Sequence, residues 1–587
     1  MPNILGLSAY FHDSACCLLK DGVLVAAAQE ERFSHRKHDP SVPKMAFRYC
    51  LSEGNLSIND IDCIAYYENP AKKLDRQLWM ILPSISEATA FDVWRKAKRP
   101  AHDIRKILGF DGPIQIFDHH QAHAASSYFF SGFPDAAVLT VDGVGEWATT
   151  TYGHAQANTI NLMEEVHFPD SIGLLYSAIT SYLGFAVNDG EYKVMGLAPY
   201  GKPVYVDRIR QLVQPLARGQ FSLNLDYFDF GGKERMYTDA LPKLFGEPPR
   251  EKESQITIFH KDVARSLQLV LEETLIEKAK YLYEKTGSEN LCMAGGVALN
   301  CVANARILNE SPFKRLFVQP AAGDAGTCLG AAVLAHVNLT GSRPSPERLE
   351  HVYLGPRFTL DEIAKLIQET NVTAADFRGR EESLLAHAVE LLAAGKVIGW
   401  FEGRMEFGPR ALGARSILAD PRDSGMRDRI NAVVKKREGF RPFAPVVLES
   451  KAPEHFDLDH ASPFMLETCQ VKSKLDLPAI THVDNSARVQ TINESVNSRL
   501  ARLLKAFDER TGCPILLNTS FNMRDEPIVC SPSDAIWCFA RTDIDALFLE
   551  DFVIDRNGLG SWEELRSSVT AKTKTPSLVS DRIYTMM

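Results

Sequence analysis

Apolar and polar positions first arrange themselves as a meander. Ile4 to Leu7 is an apolar run, His12-Asp13-Ser14 a polar turn and Ala15 to Leu19 a second apolar run. Asp21-Gly22 then marks a tight turn before the apolar stretch Val23 to Ala28. Strand, loop, strand, Asp-Gly turn and strand predict consecutive β-strands. The pattern returns downstream: Ala137 to Val141 reads as a strand, Asp142-Gly143-Val144-Gly145 as a turn, Trp147 to Tyr152 as a strand, and a further turn and strand run to Val166. Two meanders, each with an acidic turn after its first strand, predict a duplicated α/β core.

Between the copies, Ile114 to Phe117 reads as a short strand and Gln121 to Phe130 as a helix. From Leu291 to Val337 the pattern is strand, Gly-rich turn, helix, strand, Gly-rich turn, helix. Its two turns, Gly295-Gly296 and Gly323-Asp324-Ala325-Gly326, can act as backbone cradles. Residues 339–350 bring two prolines and several polar side chains, which marks a domain edge. The expected division is therefore 1–345 and 346–587. Beyond it, a helix is expected around Ser383 to Ala394 and a strand over Val397 to Phe401, ahead of a strongly basic stretch. The final residues, from Ser567 on, read as a weakly ordered tail.

Length supports this partition, because 587 residues exceed what one hydrophobic core organises. A net charge of -10 disfavours wholesale nucleic-acid binding but leaves room for a local basic pocket. The eleven cysteines include no C-x-x-C pair and sit among apolar neighbours, as reduced core thiols do. The N-terminus carries no basic leader, and no apolar run reaches the roughly 20 residues of a membrane span. A cytoplasmic protein is expected, without a membrane or nucleic-acid partner.

Two constellations carry candidate chemistry. His119 and His123 are four apart, so on a helix both imidazoles face one point. Asp142 and Asp324, each in a glycine-rich turn after an apolar strand, can complete a four-ligand set. Two imidazoles with two carboxylates suit iron(II), manganese or zinc, whereas magnesium prefers all-oxygen sites. The second constellation is the basic stretch from Gly399 to Pro445. Arg410, within Gly-Pro-Arg, and Arg441, within Phe-Arg-Pro-Phe, have rigid or apolar neighbours and suit bidentate capture of phosphate or carboxylate. Arg422, Arg427, Arg429 and Arg437 read instead as a solvated charged face. Arg488 is a further anion candidate, and Asn518, Ser520 and Asn522 end a strand where they can hydrogen-bond a phosphate or sugar. His12, in a turn between strands, has an ordinary pKa near 6.5 that suits a general base.

Taken together, FHDSA, EERFSHRKHD, DHHQAHAASSYF, VDGVGE, DGEYKVMGLAPYGKP, AGGVALNCVAN, GDAG, EGRMEFGPRALGARSILADPR, KKREGFRPFAP and LNTSFN resemble the NodU/CmcH family of O-carbamoyltransferases over nearly the whole chain. The resemblance implies an actin/hexokinase-like (ribonuclease H-like) α/β domain followed by a YrdC-like α/β domain. It implies that carbamoyl phosphate and ATP, with Mg2+ on the nucleotide, give carbamoyl adenylate in the second domain. The carbamoyl group then passes to a hydroxyl of a small natural-product acceptor in the first.

Carried onto this chain, the resemblance makes His119, His123, Asp142 and Asp324 ligands of Fe(II) or another divalent transition metal, and sets His12 beside the acceptor hydroxyl. Lys37 and Tyr10 line the acceptor pocket. Tyr10 stands where members that take cationic aminoglycosides carry an aspartate, which argues against such an acceptor. Lys193, Gly196, Gly295 and Gly296 fall on the adenylate wall. Arg410, Lys435, Arg441, Arg488, Asn518 and Ser520 fall on the carbamoyl-phosphate and nucleotide contacts. A homodimer is compatible with the resemblance. The competing reading is a sugar or acid kinase on the same core, transferring the γ-phosphate of ATP.

Overall fold

Five strands open the chain: β1 (Asn3–Ser8), β2 (Ala15–Lys20), β3 (Val23–Gln29), β4 (Cys63–Tyr66) and β5 (Ile114–Ile116). They form one sheet in the order β3-β2-β1-β4-β5, antiparallel from β1 to β3 and parallel from β1 to β5. A second set comprises β6 (Asp135–Val141), β7 (Ala148–Gln156) and β8 (Thr159–His167). Following a two-stranded ribbon, β9 (Val213–Pro215) with β10 (Phe221–Leu223), come β11 (Asn290–Ala294) and β12 (Arg315–Val318). Their order, β12-β11-β6-β7-β8, repeats the first, with an antiparallel meander and two parallel strands added beside its first strand. The expected duplication is therefore present as topology in a mixed α/β core. The structure, a computed structural model, describes residues 1–81, 99–232, 235–435 and 438–559. The tail read from Ser567 on, and Arg437, lie outside the described residues, as does the side chain of Lys435.

These residues form two compact units. The first comprises Met1–Glu30 with Pro40–Leu349, and the second Glu31–Asp39 with the described part of Glu350–Val579. Ile4, Leu5 and Leu7 of β1 are all buried, as are Leu291 to Ala294 of β11. Such unbroken apolar strands are stable only when both faces of the sheet are covered. Helix Asp324–Thr340 lies against β1 and β2 and also against helix His119–Tyr128. The latter helix was expected from Gln121. It starts two residues earlier, at His119, and ends at Tyr128. Asp324 was expected in a turn and is instead the first residue of its helix.

Lys278 is buried inside this unit with no carboxylate in ion-pair contact among the described residues. The Lys278 amine, on helix Ile258–Thr286, donates to the Tyr152 hydroxyl at 2.6 Å and the Gly219 carbonyl at 2.7 Å, and lies 4.6 Å from the Phe221 ring centroid. Burial pushes it down from 10.5 to about 7. Between those values the unfolded chain holds a proton that the folded chain has released. Stability from this group therefore rises with pH across that window, by up to about 1.4 kcal/mol per pH unit. Lys278→Met is expected to match or exceed the wild-type melting temperature near pH 7, and to lose this advantage as pH approaches 10. Tyr152 keeps its own bond to Gly219, at 2.8 Å. Thermal unfolding across that range checks the result; a variant less stable than wild type at pH 7 would contradict it.

The second unit is built on a mixed sheet of eight strands: β13 (Ala375–Asp376), β14 (Ile398–Phe401), β15 (Arg415–Ala419), β16 (Ala444–Leu448), β19 (Gln490–Ile492), β20 (Ile515–Ser520), β21 (Ala546–Leu549) and β22 (Phe552–Asp555). A separate pair, β17 (Cys469–Gln470) and β18 (Ser486–Ala487), stands outside it. The order is β13-β22-β21-β14-β15-β20-β16-β19. Trp400, Ile417, Val446, Leu516 and Leu547 bring its strands into one apolar core with helices Glu381–Ala393 and Ser498–Thr511. No helix among the described residues is long and apolar enough to cross a membrane.

Candidate active site

His119 opens its helix and His123 follows one turn later on the same face. Asp142 directly follows the last residue of β6, and Asp324 begins the helix packed against the first. All four are buried, and one ligand atom from each lies within 4.8 Å of every other. His119 Nε2 is 3.1 Å from His123 Nε2 and 3.1 Å from Asp142 Oδ2. His123 Nε2 is 3.4 Å from Asp142 Oδ2, and both imidazoles are 3.7 Å from Asp324 Oδ1. Ligand atoms about 2.1 Å from a shared ion are spaced roughly 3.0–3.5 Å apart, so this set closely fits a cation.

The chemistry of the donors agrees. Both carboxylate oxygens of Asp324 are buried without a hydrogen-bond partner among the described residues. A buried carboxylate demands compensation, and a divalent ion supplies it. Burial drives the His119 imidazole down, but Asp324, Asp142 and Glu146 outweigh it and hold the group up at about 9. Burial also works against the Asp142 carboxylate, yet the two histidines keep it well below the ordinary range. A mixed nitrogen and oxygen set of this kind suits a transition metal more than magnesium.

Several neighbours shape the cluster. Asp142 Oδ1 accepts from the Gly296 amide at 2.8 Å, which turns Oδ2 toward the histidines. Gly295 makes this approach feasible: its φ is +96°, and a Cβ there would lie 2.2 Å from the Val141 carbonyl oxygen. His120 faces away, with Nδ1 at 2.6 Å from Thr140 Oγ1, and burial pushes it well below 6.5. The Tyr67 ring lies 5.4 Å from that of His119 while its hydroxyl donates to the Ala9 carbonyl at 3.1 Å. Tyr67 therefore links the cluster to the turn that carries Tyr10 and His12. His12 Nδ1 is 2.8 Å from Asp13 Oδ2. The Tyr10 hydroxyl donates to Asp103 at 2.8 Å beneath the Arg99 guanidinium, and burial with Asp103 raises its pKa.

Other expected site residues are placed less tightly. Lys37 belongs to the segment Glu31–Asp39 of the second unit. Lys193 and Gly196 lie on helix Glu191–Leu197, where Met195 Sδ is 3.9 Å from Cys301 Sγ. That contact seats the helix beside the one that follows the Gly295-Gly296 turn. Tyr67 and Glu146 escaped sequence reasoning. Glu146 closes the VDGVGE stretch, but nothing in its spacing distinguishes it from a surface acid.

In the second unit, the register gathers the basic candidates. β20 runs antiparallel to β15 and β16, and β16 parallel to β19. The loops carrying Arg410, Arg441 and Arg488 enter β15, β16 and β19 respectively. Their ends therefore lie at one end of the sheet, where β20 finishes with Asn518 and Ser520. Asn518 is buried, and its amide donates to Gln490 Oε1 at 2.8 Å; Gln490 in turn donates to the Leu412 carbonyl at 2.8 Å. Glu406 Oε1 accepts from the amides of Leu412, Ala414 and Arg415, at 2.7, 2.7 and 3.2 Å. The loop that presents Arg410 is thus pinned from both sides. Ser520 Oγ donates to Asn522 at 2.7 Å, and Arg441 pairs with Glu438 at 3.7 Å. Arg422 and Arg429 pair with Asp420 at 2.6 Å and Asp545 at 2.7 Å, as structural cations do.

Comparison with known proteins agrees with both halves of this picture. The pattern described as carbamoyltransferase N-terminus matches residues 3–79 and 85–333, and that described as carbamoyltransferase C-terminus matches 389–556. A Synechocystis protein described as uncharacterized is 46% identical over 94% of this chain and 97% of its own. Nodulation protein NolNO of Sinorhizobium fredii is 39% identical over 97% of this chain and 82% of its own. The 3'-hydroxymethylcephem-O-carbamoyltransferase of Amycolatopsis lactamdurans is 38% identical over 46% of this chain and 49% of its own. With paired N- and C-terminal patterns covering most of its length, the chain belongs to the carbamoyltransferase family.

Proposed function

We propose that this enzyme is an ATP-dependent O-carbamoyltransferase acting in two steps. The first step belongs to residues 346–587, which we read as a YrdC-like domain. There water cleaves carbamoyl phosphate to phosphate and carbamate, and a carbamate oxygen attacks the α-phosphorus of ATP. Pyrophosphate leaves, and carbamoyl adenylate forms. Both reactants are polyanions, so fixed cations must offset their repulsion. Arg410, Arg441 and Arg488 supply these together with Mg2+ on the nucleotide, while Asn518 and Ser520 add polar contacts. Lys435 is assigned to the same contacts.

The second step belongs to residues 1–345. An acceptor hydroxyl attacks the carbamoyl carbon, AMP leaves, and His12 takes the hydroxyl proton. Lys193, Gly196, Gly295 and Gly296 hold the adenylate, and Tyr10 and Lys37 line the acceptor pocket. A divalent ion held by His119, His123, Asp142 and Asp324 supplies Lewis acidity, and Fe(II) is our assignment. The observation that carries the reading is the convergence of these four donors in a member of the carbamoyltransferase family. The acceptor is a hydroxylated small molecule without a matching requirement for positive charge, because Tyr10 offers no carboxylate.

Product analysis tests the scheme. With ATP and carbamoyl phosphate, the purified chain is expected to release pyrophosphate and phosphate, and to add one carbamoyl group to a hydroxylated acceptor. ADP without pyrophosphate would instead establish a kinase. Arg410→Ala is expected to lower carbamoyl-phosphate-dependent pyrophosphate release by roughly 100-fold, the scale of losing one fixed charge from a phosphoryl-transfer site. Unchanged release would remove Arg410 from the site.

A further inference from the structure

We infer that Glu146 is a positioning residue for the candidate metal centre: it caps the helix that carries His119 and His123 and so sets where both imidazoles point. The inference rests on reading the four-residue cluster as a metal site.

Asp118 occupies the N-cap position of helix His119–Tyr128, and aspartate is among the residues that ordinarily fill that role. Its side chain makes no capping bond. It turns outward instead, to Lys72 Nζ at 2.5 Å and Asn69 Nδ2 at 3.4 Å. The helix is capped from a distance. The His119 amide donates to Glu146 at 2.9 Å to Oε1 and 3.2 Å to Oε2. Oε1 also accepts from the Asn69 amide at 2.6 Å, just ahead of helix Pro70–Ile81. The Glu146 carbonyl accepts from Arg76 Nε at 2.6 Å, so Glu146 is held at its backbone as well. Both Glu146 and Arg76 are buried.

Geometry makes this cap consequential. Metal-bound histidines usually have their orientation fixed by a partner on the second ring nitrogen. Here Nδ1 of His119 and Nδ1 of His123 have no hydrogen-bond partner among the described residues. Ring direction must then follow from backbone position and packing. Glu146 fixes that backbone at the first residue of the helix. It lies four residues after Asp142, so the turn that supplies one ligand also places the helix that supplies two more. An anionic cap here also opposes the positive end of the helix dipole.

Titration of the full-length protein with Mn2+, read by the free-ion electron paramagnetic resonance signal, tests this. Wild type should bind one ion. Glu146→Ala should weaken binding about 10–100-fold, the scale of outer-shell losses at metal sites. Glu146→Gln retains an acceptor oxygen and should stay within about threefold of wild type. Asp118→Ala should bind as wild type does. If Glu146→Ala does not fold, Glu146→Asp, which withdraws the oxygens by one methylene, should show the loss. Wild-type affinity in Glu146→Ala, or in Glu146→Asp where the alanine variant fails to fold, overturns the inference and leaves the metal reading intact. So does a loss in Asp118→Ala equal to that in Glu146→Ala. Absence of Mn2+ binding by wild type overturns the metal reading itself, and the inference with it.

Discussion

Asp324→Asn is expected to abolish specific metal uptake and carbamoyl transfer while leaving the metal-free protein as stable as wild type. The argument turns on the two buried oxygens of Asp324, which have no hydrogen-bond partner among the described residues. Without a cation, a carboxylate in that position is a cost to folding, offset in part by the two imidazoles 3.7 Å away and by the positive end of its own helix. With a cation, it becomes a charged ligand of the set. An amide of the same shape removes the cost and most of the attraction together. Affinity should fall by more than the roughly 10–100-fold typical of outer-shell changes, because a direct ligand is lost. Chelated wild type and chelated Asp324→Asn should melt at similar temperatures, whereas added metal should raise only the wild type. Carbamoyl-phosphate-dependent pyrophosphate release, assigned to the other domain, should persist in the variant. Wild-type metal content and turnover in Asp324→Asn would end the metal-centred account.

The chain announces this cluster only in part. The spacing of His119 and His123 is visible because a helix repeats every 3.6 residues, and Asp142 is visible because an acidic turn follows an apolar strand. The meander was equally legible, since strand alternation and Asp-Gly turns are local signals. What could not be read was long-range placement. Asp118 has the sequence signature of a helix cap, yet the cap comes from Glu146, 27 residues from His119. The expected helix start at Gln121 missed His119 for the same reason: the local residues do not hold the first turn, a distant carboxylate does. Asp324 looked like a turn residue because glycines flank it, whereas packing against the neighbouring helix draws it into the first helical turn. In the second unit, Arg410, Arg441 and Arg488 are scattered along the sequence. Only the pairing of β15, β20, β16 and β19 brings their loops to one end of the sheet.

Gly330→Ala is expected to lose the metal site by a different route, and comparison with Asp324→Asn separates the two. Gly330 lies where helix Asp324–Thr340 crosses helix His119–Tyr128. A Cβ there would stand 1.8 Å from the Ala122 carbonyl oxygen and 2.9 Å from the Ser126 amide nitrogen. Neither contact can yield by rotating a side chain, because both atoms are backbone. Restoring an ordinary carbon–oxygen contact requires the helices to part by more than about 1 Å, and overpacking of a core typically costs 1–3 kcal/mol. This crossing is also what sets the distance from Asp324 to His119 and His123, since Ala122 directly precedes His123. Widening it should therefore cost both stability and the chelate. The predicted signature is a lowered melting temperature that persists in chelator, accompanied by metal affinity reduced at least tenfold. Asp324→Asn shows the second effect without the first. If Gly330→Ala melts and binds Mn2+ as wild type does, the two helices do not hold the ligands in place, and the rigidity of the site must come from its turns alone.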